Sequence, residues 1–372
     1  MHKSFIKTHC VHFVLGDCVY PHRIGGMEVF NYYLIRELSN NHDVELYYSS
    51  SHALPFKHAY YYKMFSLRPT KVFTPLQVFF FHLLHHSVKN VVFSYSAAHW
   101  LVWRQYAWII KLFHLNAIVV IHYGWHPDGS ENPKHIRKFF KIANNVVAVS
   151  EDIKRNYDDV YDINCQVIPP LVPFGHSHLS QVEARKKYNI PQDAFVIAMV
   201  GSLKPMKNPQ TLLESIAGLT EDERRKIKPH VVYAGDGVLC TELKNYSTEH
   251  GLTEFVTFLG NVPKEQVCEV MAMIDCYVIA SDFEGTSVSV LEAMYNCKPI
   301  IYANSPGLRD MLEDGVTGKA FTCKDSEVLK NVLLDFFYQP EKTQQIAKAA
   351  YELYIQRYNY SQVVTAYHNM LV

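Results

Sequence analysis

The stretch DCYVIASDFEGTSVSVLEAMYNCKPII, residues 275–301, predicts a strand, a loop, a helix and a second strand, in that order. CYVIA is a short apolar run bounded by polar residues, which is typical of a buried strand in a parallel sheet. Residues 281–285 are predicted to form the loop, and Thr286 or Ser287 to cap a helix that runs to about Asn296. The proline that follows restarts the chain as the strand PIIYA.

Two carboxylates of this stretch are the strongest candidates for chemistry. Glu284 stands at the carboxyl end of the first strand, at the entrance to the helix, and Glu292 lies about two turns into that helix. Apolar residues flank Glu292 on both sides, so its burial is costly unless a partner binds it. Sugar or ribose hydroxyls are suitable partners, because a carboxylate only accepts hydrogen bonds. The alternative is that both glutamates are solvated charges on a helix surface, as isolated glutamates usually are.

The same alternation of short apolar strands and helical patterns recurs along the chain and indicates two doubly wound sheets. The strand candidates of the first part are HCVHFVLG, DVELYYSS, NVVFSY, AIVVIHYG and NVVAVSE, and MEVFNYYLIRELSN is a helix. Those of the second part are FVIAMVG, HVVYAGDG, FVTFLG, CYVIAS and PIIYA. Between the parts, the proline-rich QVIPPLVPF is predicted to be a linker, since its prolines prevent regular structure.

We therefore predict three parts of the chain. A Rossmann-like N-terminal domain covers residues 1–170, and a second Rossmann-like domain covers residues 171–355. A C-terminal helix lies within residues 356–372. Ligands of open α/β sheets bind outside the carboxyl ends of the strands, so the site is expected in a crevice between the two sheets.

Charge is unevenly distributed along a chain that is neutral overall, with 36 basic and 36 acidic residues. Between Leu46 and Pro127 there is no acidic residue, although seven lysines and arginines lie there among many aromatic residues. A basic, aromatic face suits an anionic membrane surface or a lipid-linked phosphate. The alternative is that these aromatic residues are buried in helices of the first domain. We expect no nucleic-acid partner, because the chain carries no known nucleic-acid-binding motif.

The cysteines and the amino terminus indicate a reducing compartment. Eight cysteines are present without any Cys-x-x-Cys pair, which predicts free thiols rather than disulfides or a zinc site. The first residues lack the long apolar core of a signal peptide. The longest uncharged apolar segment, residues 72–88, contains Pro75 and three histidines and is a poor membrane span. We expect a cytoplasmic protein, soluble or attached at the inner face of the membrane.

The segment SDFEGTSVSVLEAM followed by KPII resembles the donor-site signature of the retaining GT-B glycosyltransferases of family GT4. That family carries a Glu-x7-Glu motif, a glycine after the first glutamate and a Pro-Val/Ile strand after the helix. The resemblance spans nearly the whole chain. It implies the α/β GT-B fold, in which two Rossmann-like doubly wound domains face a central cleft. In that fold residues 1–170 would bind the acceptor and residues 171–355 the nucleotide-sugar donor, and the helix within residues 356–372 would pack back on the N-terminal domain. It also implies that Glu284 holds the donor sugar and Glu292 holds the ribose.

Other loops match the family pattern residue by residue. In GSLKPMKNP the family's Gly-Arg-Leu and Lys-Asn are present except that Ser202 replaces the arginine, which leaves Lys207 as the main cation for the donor diphosphate. AGDG resembles the Gly-x-Gly turn after the next strand, and TFLGNVPKEQV resembles the segment beside the nucleotide base. The donor-binding positions implied in this half are Gly201, Ser202, Lys207, Gly235, Leu259, Gly260, Gly285, Thr286, Ser287 and Glu292.

Two further signals lie in the first domain. Gly25 and Gly26 precede the first helix, and amide groups at a helix amino terminus suit a phosphate. In GT4 enzymes a Gly-Gly-x-Glu loop closes over the donor diphosphate. His122 ends the strand AIVVI, where the family often has a histidine that faces the donor sugar, although Tyr123 here separates it from Gly124. A histidine at a strand end is otherwise more often structural.

The resemblance implies retaining transfer of a sugar from a nucleotide diphosphate sugar to a glycan or lipid-linked acceptor, in cell-surface polysaccharide biosynthesis. The catalytic residues would be Glu284, His122 and Lys207, with no metal and no cofactor beyond the nucleotide sugar as co-substrate. The chain has no Asp-x-Asp triplet of the metal-dependent GT-A enzymes. It also has no G-x-G-x-x-G after the first strand, which argues against a nicotinamide dehydrogenase.

Two alternatives stay open. One is another GT-B activity, such as a nucleotide-sugar epimerase or a phosphorylase, against which the Glu-x7-Glu segment argues. The other is a degenerate GT-B protein that binds a nucleotide sugar or a membrane partner without catalysis. Ser202 in place of arginine and Cys297 in place of the usual glycine favour the second alternative.

Overall fold

The computed structural model describes residues 10–14, 26–41, 43–48, 59–63, 88–95, 100–122, 137–138 and 140–371. The chain divides into two compact units. The first consists of Met1–Val172 with Tyr360–Val372, and the second of Pro173–Asn359. The sequence analysis predicted the corresponding domain boundaries after residues 170 and 355.

The first unit is built on a parallel sheet with the strand order β3-β2-β1-β4-β5-β6-β7. These strands are β1 Cys10–Val14, β2 Asp43–Tyr48, β3 Ala59–Lys63, β4 Val88–Tyr95, β5 Asn116–Ile121, β6 Asn145–Ala148 and β7 Gln166–Val167. The long helices that accompany them are α1 Gly26–Asn41, α2 Trp100–Phe113 and α3 Glu151–Tyr161.

The structure differs from the sequence analysis at two edges of this sheet. AYYYK, for which no strand was predicted, forms β3, in keeping with the preference of aromatic residues for strands. QVIPPLVPF is not irregular throughout, because Gln166 and Val167 pair with β6 as β7. Both residues precede the first proline of the linker, so their backbone amides remain available for pairing.

The second unit repeats the architecture with the parallel order β10-β9-β8-β11-β12-β13. Its strands are β8 Phe195–Val200, β9 Pro229–Ala234, β10 Val256–Gly260, β11 Cys276–Ile279, β12 Ile300–Ala303 and β13 Lys319–Phe321. Its helices are α4 Gln181–Lys187, α5 Gln210–Ala217, α6 Glu221–Ile227, α7 Cys240–Glu249, α8 Val267–Met273, α9 Val288–Tyr295, α10 Leu308–Met311, α11 Ser326–Tyr338 and α12 Pro340–Arg357.

Both sheets are doubly wound, as predicted. In the second, β8 and β11 are neighbours although they are far apart in sequence, so the strand order reverses between them. Such a reversal is the point at which open α/β sheets bind ligands. Residues Cys276–Ile279 are all buried, which explains why this strand reads as an unbroken apolar run. We therefore expect a ligand to bind at the loops that follow β8 and β11.

The last helix, α13 Tyr360–Met370, belongs to the first unit. The ring of Tyr367 lies 5.9 Å from that of Phe30 in α1. Two buried or half-buried amides bind the end of the chain: Asn90 Nδ2 donates to the Leu371 carbonyl at 3.2 Å, and Asn116 Nδ2 donates to the Met370 carbonyl at 2.7 Å. The end of the chain is thus part of the core of the first unit.

Candidate functional site

The predicted donor residues of the second unit lie at one edge of its sheet. β10, β9, β8 and β11 are consecutive neighbours in a parallel sheet, so their carboxyl ends meet at the same edge. Gly201–Lys207 follow β8, Gly235 follows β9, Leu259 and Gly260 end β10, and Gly285–Ser287 follow β11. The sheet topology therefore brings together segments that are scattered over some 90 residues of sequence.

Glu284 and Lys207 form an ion pair across the point where the strand order reverses. Lys207 Nζ donates to Glu284 Oε1, and the Ser281 hydroxyl donates to the same oxygen at 2.6 Å. The Glu284 side chain is 11% exposed and that of Lys207 is 26% exposed, so the pair is largely withdrawn from water. An ammonium has three donor positions, so Lys207 keeps donors for further acceptors such as phosphate oxygens.

Asn208 locks the loop after β8 to the loop after β11. Its Nδ2 donates to the Ala280 carbonyl at 3.0 Å and to Asp282 Oδ1 at 2.6 Å. The amide of Asp282 in turn donates to the Met206 carbonyl at 2.9 Å. Asn208 has a left-handed backbone, with φ of 44°, which asparagine tolerates better than most residues. These bonds hold Lys207 and Glu284 at a fixed separation.

The loop after β12 supports Glu284 from another side. The Glu284 amide donates to the Pro306 carbonyl at 3.3 Å, and the Ser305 hydroxyl donates to the Ser281 carbonyl at 2.7 Å. Gly307 has a φ of 78°, and a Cβ there would lie 1.9 Å from the Glu284 carbonyl oxygen. Only glycine fits this position without displacing Glu284.

Helix α9 begins beside Glu284, as the sequence predicted, with Ser287 at its N-cap position. The Ser287 side chain does not cap the helix, however, and its hydroxyl instead lies 3.2 Å from that of Ser289. The Ser287 amide donates to Met311 Sδ at 3.3 Å. The amino terminus of α9, which is the positive end of its dipole, therefore follows the Glu284 loop after only Gly285 and Thr286.

The glycines after β8 and β9 allow two loops to pack directly against each other. A Cβ on Gly235 would lie 1.9 Å from the Gly201 carbonyl oxygen, and one on Gly237 would lie 2.3 Å from that of Leu203. Gly260 pairs with Gly235 in an isolated bridge. Gly201 itself is exposed, and a Cβ there would meet nothing within 4 Å. Close packing thus accounts for the glycine at position 235. Ser202 is half-buried, and Gly201 beside it is exposed.

Glu292 is 6% exposed and is paired with a lysine that the sequence analysis did not select. Lys264 Nζ donates to Glu292 Oε1. Burial raises the pKa of Glu292 above its usual value, and the charge and hydrogen bond of Lys264 act in the opposite direction. Lys264 lies in the segment GNVPKEQV that the resemblance associates with the base, but a lone lysine after a strand carries no signal of its partner 28 residues away.

His122 lies in the first unit, directly after β5, and is buried. Its ring packs edge-on against Phe30 at 4.7 Å, and its Nε2 has no hydrogen-bond partner among the described residues. Burial lowers the pKa of His122 to about 3, so the imidazole is neutral at physiological pH. A neutral ring can exchange a hydrogen bond with a hydroxyl but cannot stabilise a phosphate as a cation.

The remaining predictions for the first unit fall only partly within the described residues. Gly26 is the first residue of α1. Gly25, Tyr123 and Gly124 lie outside the described residues. Within the described ranges, no group of three His, Cys, Asp or Glu side chains could hold a metal ion. The cysteines described there, namely Cys165, Cys240, Cys268, Cys276, Cys297 and Cys323, are free thiols.

Curated relatives match about half of the chain. A D-inositol 3-phosphate glycosyltransferase of Geodermatophilus obscurus is 30% identical over 186 residues, which are 47% of this chain and 41% of that protein. The enzyme of the same name from Streptomyces coelicolor is 28% identical over 183 residues, 47% of this chain and 40% of that protein. These matches thus span well under half of the relatives' own lengths.

Solved structures match over nearly the whole chain. Anabaena HepE in complex with UDP has a TM-score of 0.80 and 17% identity, with 98% of this chain and 99% of that chain covered. Sucrose-phosphate synthase from Thermosynechococcus elongatus has a TM-score of 0.78 and 15% identity, with 98% of each chain covered. At these identities the likeness establishes the fold, and the fold of both units is that of the GT-B glycosyltransferases.

Two family models cover the chain in succession. The model described as Glycosyltransferase Family 4 matches residues 24–174, and the model described as Glycosyl transferases group 1 matches residues 180–353. Together they leave only the two ends and a short stretch between the units unmatched. The chain belongs to the GT4-type glycosyltransferases.

Proposed function

We propose that this protein is a retaining, metal-independent hexosyltransferase. It moves a sugar from a nucleotide diphosphate sugar to a glycan or lipid-linked acceptor, in the cytoplasm, during cell-surface polysaccharide biosynthesis. The observation that carries the proposal is the Lys207–Glu284 pair at the reversal of strand order. It sets an ammonium, which suits a diphosphate, directly beside a carboxylate, which suits the hydroxyls of a sugar.

The charges of this site match those that develop in the reaction. When the bond between the anomeric carbon and the phosphate breaks, negative charge grows on the diphosphate and positive charge on the sugar ring. Lys207 and the amino terminus of α9 would stabilise the diphosphate, and Glu284 would stabilise the ring and hold its hydroxyls. In the proposed mechanism the leaving phosphate accepts the proton of the acceptor on the same face of the sugar, so no separate base is assigned. Neutral His122 would contact the donor sugar as a hydrogen-bonding group.

The donor is best tested first as a uridine nucleotide, because HepE structures contain UDP and UDP-glucose. A thermal-shift panel of UDP-, GDP- and ADP-sugars identifies the base, since a ligand that binds only the native state raises Tm. We expect one nucleotide class to raise Tm of the wild type and to have little effect on Lys207→Ala. A wild type that responds to none of the three contradicts the proposed donor class.

The non-catalytic alternative has one structural observation in its favour. Cys297 has a φ of 52°, a conformation that suits glycine better than cysteine, so this position departs from the family at a cost in strain. Release of free sugar from the donor without an acceptor separates the two functions. We expect slow hydrolysis by the wild type and none by Glu284→Gln, whereas a protein that only binds the donor would release no sugar in either form.

We also propose that the first unit contacts an anionic membrane surface through the outer face of α2. Trp108 and Leu112 are 42% and 56% exposed, and Lys111 shares their face of the helix. A cavity beside this face is lined by Lys111, His114, Lys138 and Lys141. Apolar anchors next to several cations fit a bilayer interface that carries anionic lipids. No helix in the described part of the chain is both long and apolar enough to cross a bilayer.

Vesicle co-sedimentation tests this surface. We expect the protein to bind vesicles that contain phosphatidylglycerol more strongly than vesicles of phosphatidylcholine alone, and less strongly at high salt because exposed charges are screened. The double substitution Trp108→Ser and Leu112→Ser should abolish the binding, whereas Val182→Ser, at a valine that is 64% exposed in the second unit, should not. Equal binding by the double variant and the wild type would rule out this face.

A further inference from the structure

The pair formed by Lys264 and Glu292 is one of the most deeply buried ion pairs of the second unit. The two side chains are 10% and 8% exposed. Another lysine–glutamate pair of the same unit, Lys187 with Glu269, has its side chains 45% and 20% exposed. Burial of this depth is costly for both charges and is tolerated only when they compensate each other.

Lys264 also contacts an aromatic ring. Its Nζ lies 4.6 Å from the centre of the Phe174 ring, close enough for an attractive cation–π contact. Phe174 in turn packs against Tyr295 of α9 and Tyr354 of α12, with ring centres 5.9 and 5.8 Å away. The ammonium is therefore fixed by a packed cluster that is independent of its bond to Glu292.

The bond between the two residues uses only part of the carboxylate. Lys264 donates to Glu292 Oε1. A carboxylate offers about four lone-pair positions on its two oxygens, so the pair leaves acceptor capacity for two hydroxyl groups. Neighbouring hydroxyls on one sugar ring are the ligand that matches this capacity, and a ribose presents such a pair at its 2′ and 3′ positions.

We propose that Lys264 is a positioning residue for the nucleoside half of the donor: it keeps the Glu292 carboxylate ionised and fixed, so that this carboxylate receives the 2′ and 3′ hydroxyls of the ribose. The proposal rests on the proposed function, because it takes Glu292 as the ribose-binding residue. Lys264 acts through Glu292 and takes no part in the transfer step. It determines affinity for the nucleotide rather than the rate of bond cleavage.

Calorimetry with UDP and 2′,3′-dideoxy-UDP tests the role in ribose binding. Lys264→Met should weaken UDP binding by about 10- to 100-fold, the loss typical of a hydrogen bond to a charged group. It should leave binding of the dideoxy nucleotide nearly unchanged, because that ligand lacks the hydroxyls. Lys264→Arg should restore UDP binding, and Lys187→Met serves as the control for loss of a lysine–glutamate pair elsewhere. A Lys264→Met protein that loses affinity for both nucleotides equally would show a merely structural role and overturn the proposal.

The ligand-free protein provides a second readout, the pH dependence of unfolding by urea. Burial raises the pKa of Glu292 above the usual value of a glutamate, so the folded state binds this proton more tightly than the unfolded state does. The contribution of this group to the free energy of unfolding is therefore present at low pH and is lost as the pH rises through the pKa of Glu292 in the folded state. Without Lys264 the pKa rises further, and Lys264→Met should lose more stability than the wild type between pH 5 and pH 8.

Two other titratable groups interact electrostatically with Glu292, so their ionisation has to be distinguished from that of Glu292 in the pH profile. Cys268 of α8 and Tyr277 of β11 both have a pKa that burial raises, so they ionise above this pH window. The double variant Lys264→Met with Glu292→Gln should accordingly show no steepened pH profile. A Lys264→Met profile that parallels the wild type would contradict the pairing itself, whatever nucleotide binds.

The nucleotide-binding measurements separate a failure of the proposed role of Lys264 from a failure of the proposed donor class. A wild type that binds none of UDP, GDP or ADP contradicts the donor class, and with it the role of Lys264 in ribose binding. A wild type that binds UDP while Lys264→Met binds it equally well contradicts only the role of Lys264.

Discussion

At the scale of single residues, each charge of the candidate site is compensated by an opposite charge. Lys207 pairs with Glu284, and Lys264 pairs with Glu292. Each lysine compensates a carboxylate that is withdrawn from water, where an unpaired charge is costly. In the proposed complex, phosphate oxygens would bind the remaining donor positions of Lys207, and sugar hydroxyls would donate to the remaining lone pairs of the carboxylates.

Lys207→Ala should reduce both turnover and stability. Removal of a fixed donor to a developing negative charge lowers kcat by about 10²–10³. It also leaves the Glu284 carboxylate, which is 11% exposed, without its ion-pair partner, so the unfolding free energy should fall by about 3 kcal/mol. Steady-state kinetics with urea unfolding measures both. Lys228→Ala, at a lysine whose pair with Asp193 is exposed, is the control and should keep full turnover. A Lys207→Ala enzyme with a normal kcat would remove Lys207 from the mechanism.

The residues of the site differ in how far sequence could reveal them. Glu284, Glu292 and Lys207 stand in motifs with fixed spacing, so the sequence alone identifies them as candidates. It does not identify Lys264 and Ser281, because nothing local indicates which carboxylate a lysine or serine will reach after the chain folds. Thr286 or Ser287 was predicted to cap α9. Ser287 takes the N-cap position, but its side chain contacts Ser289 instead of the helix amides, since capping depends on a rotamer that the sequence does not specify.

At the scale of elements, the site depends on loops that fix one another. The loop after β8 is bound to the loop after β11 by Asn208, and the loop after β12 supports the same loop through Pro306 and Gly307. Each loop follows a buried strand whose position is set by the core. The position of Glu284 is therefore determined by three strands and not by its own loop alone.

Gly307→Ala should displace Glu284. The substitution places a Cβ 1.9 Å from the Glu284 carbonyl oxygen at a φ of 78°, so either the loop moves or the fold loses stability. Gly315→Ala is a matched control, because Gly315 has a φ of 75° but nothing within 4 Å of its Cβ. Both variants should lose about 1 kcal/mol or more from backbone strain. Only Gly307→Ala should also lose transfer activity, and equal activity in the two would show that the Glu284 loop tolerates the shift.

Elements with long apolar runs were predicted well, and short edge elements were not. The central strands β8, β9 and β11 are buried on both faces and read as continuous apolar segments. By contrast, β7 and β13 have two and three residues, too few to show a pattern. The aromatic run in β3 was ambiguous because aromatic residues suit a strand as well as a buried helix.

At the scale of the whole molecule, the chain leaves its first unit, forms the second and returns to the first. The returning helix α13 buries Val363 and Tyr367 in the core of the first unit, and Leu371 directly after the helix is buried there too. Its periodicity identified it as a helix, and the resemblance suggested that it packs back on the first domain. The amides of Asn90 and Asn116 that bind its end could not be anticipated, because they lie more than 250 residues away in sequence.

Tyr367→Ala should therefore destabilise the first unit although the residue lies near the end of the chain. Truncation of a buried aromatic side chain costs about 3–5 kcal/mol in unfolding free energy. Tyr367→Phe keeps the ring against Phe30 and should be tolerated. Thermal unfolding, monitored by limited proteolysis of the first unit, measures the difference in stability between the two variants. A Tyr367→Ala protein as stable as Tyr367→Phe would mean that α13 contributes little to that core.

In the proposed site, the carboxylates of Glu284 and Glu292, at the carboxyl edge of the second sheet, hold the donor. Calorimetric titration of Glu284→Ala and Glu292→Ala with the nucleotide sugar selected by the thermal-shift panel tests it most directly, with turnover measured on the same samples. We predict that Glu292→Ala loses affinity for both the free nucleotide and the nucleotide sugar. Glu284→Ala should lose turnover and the added affinity due to the sugar while still binding the free nucleotide. Unchanged affinity and unchanged turnover in both variants would contradict the assignment of this edge as the donor site.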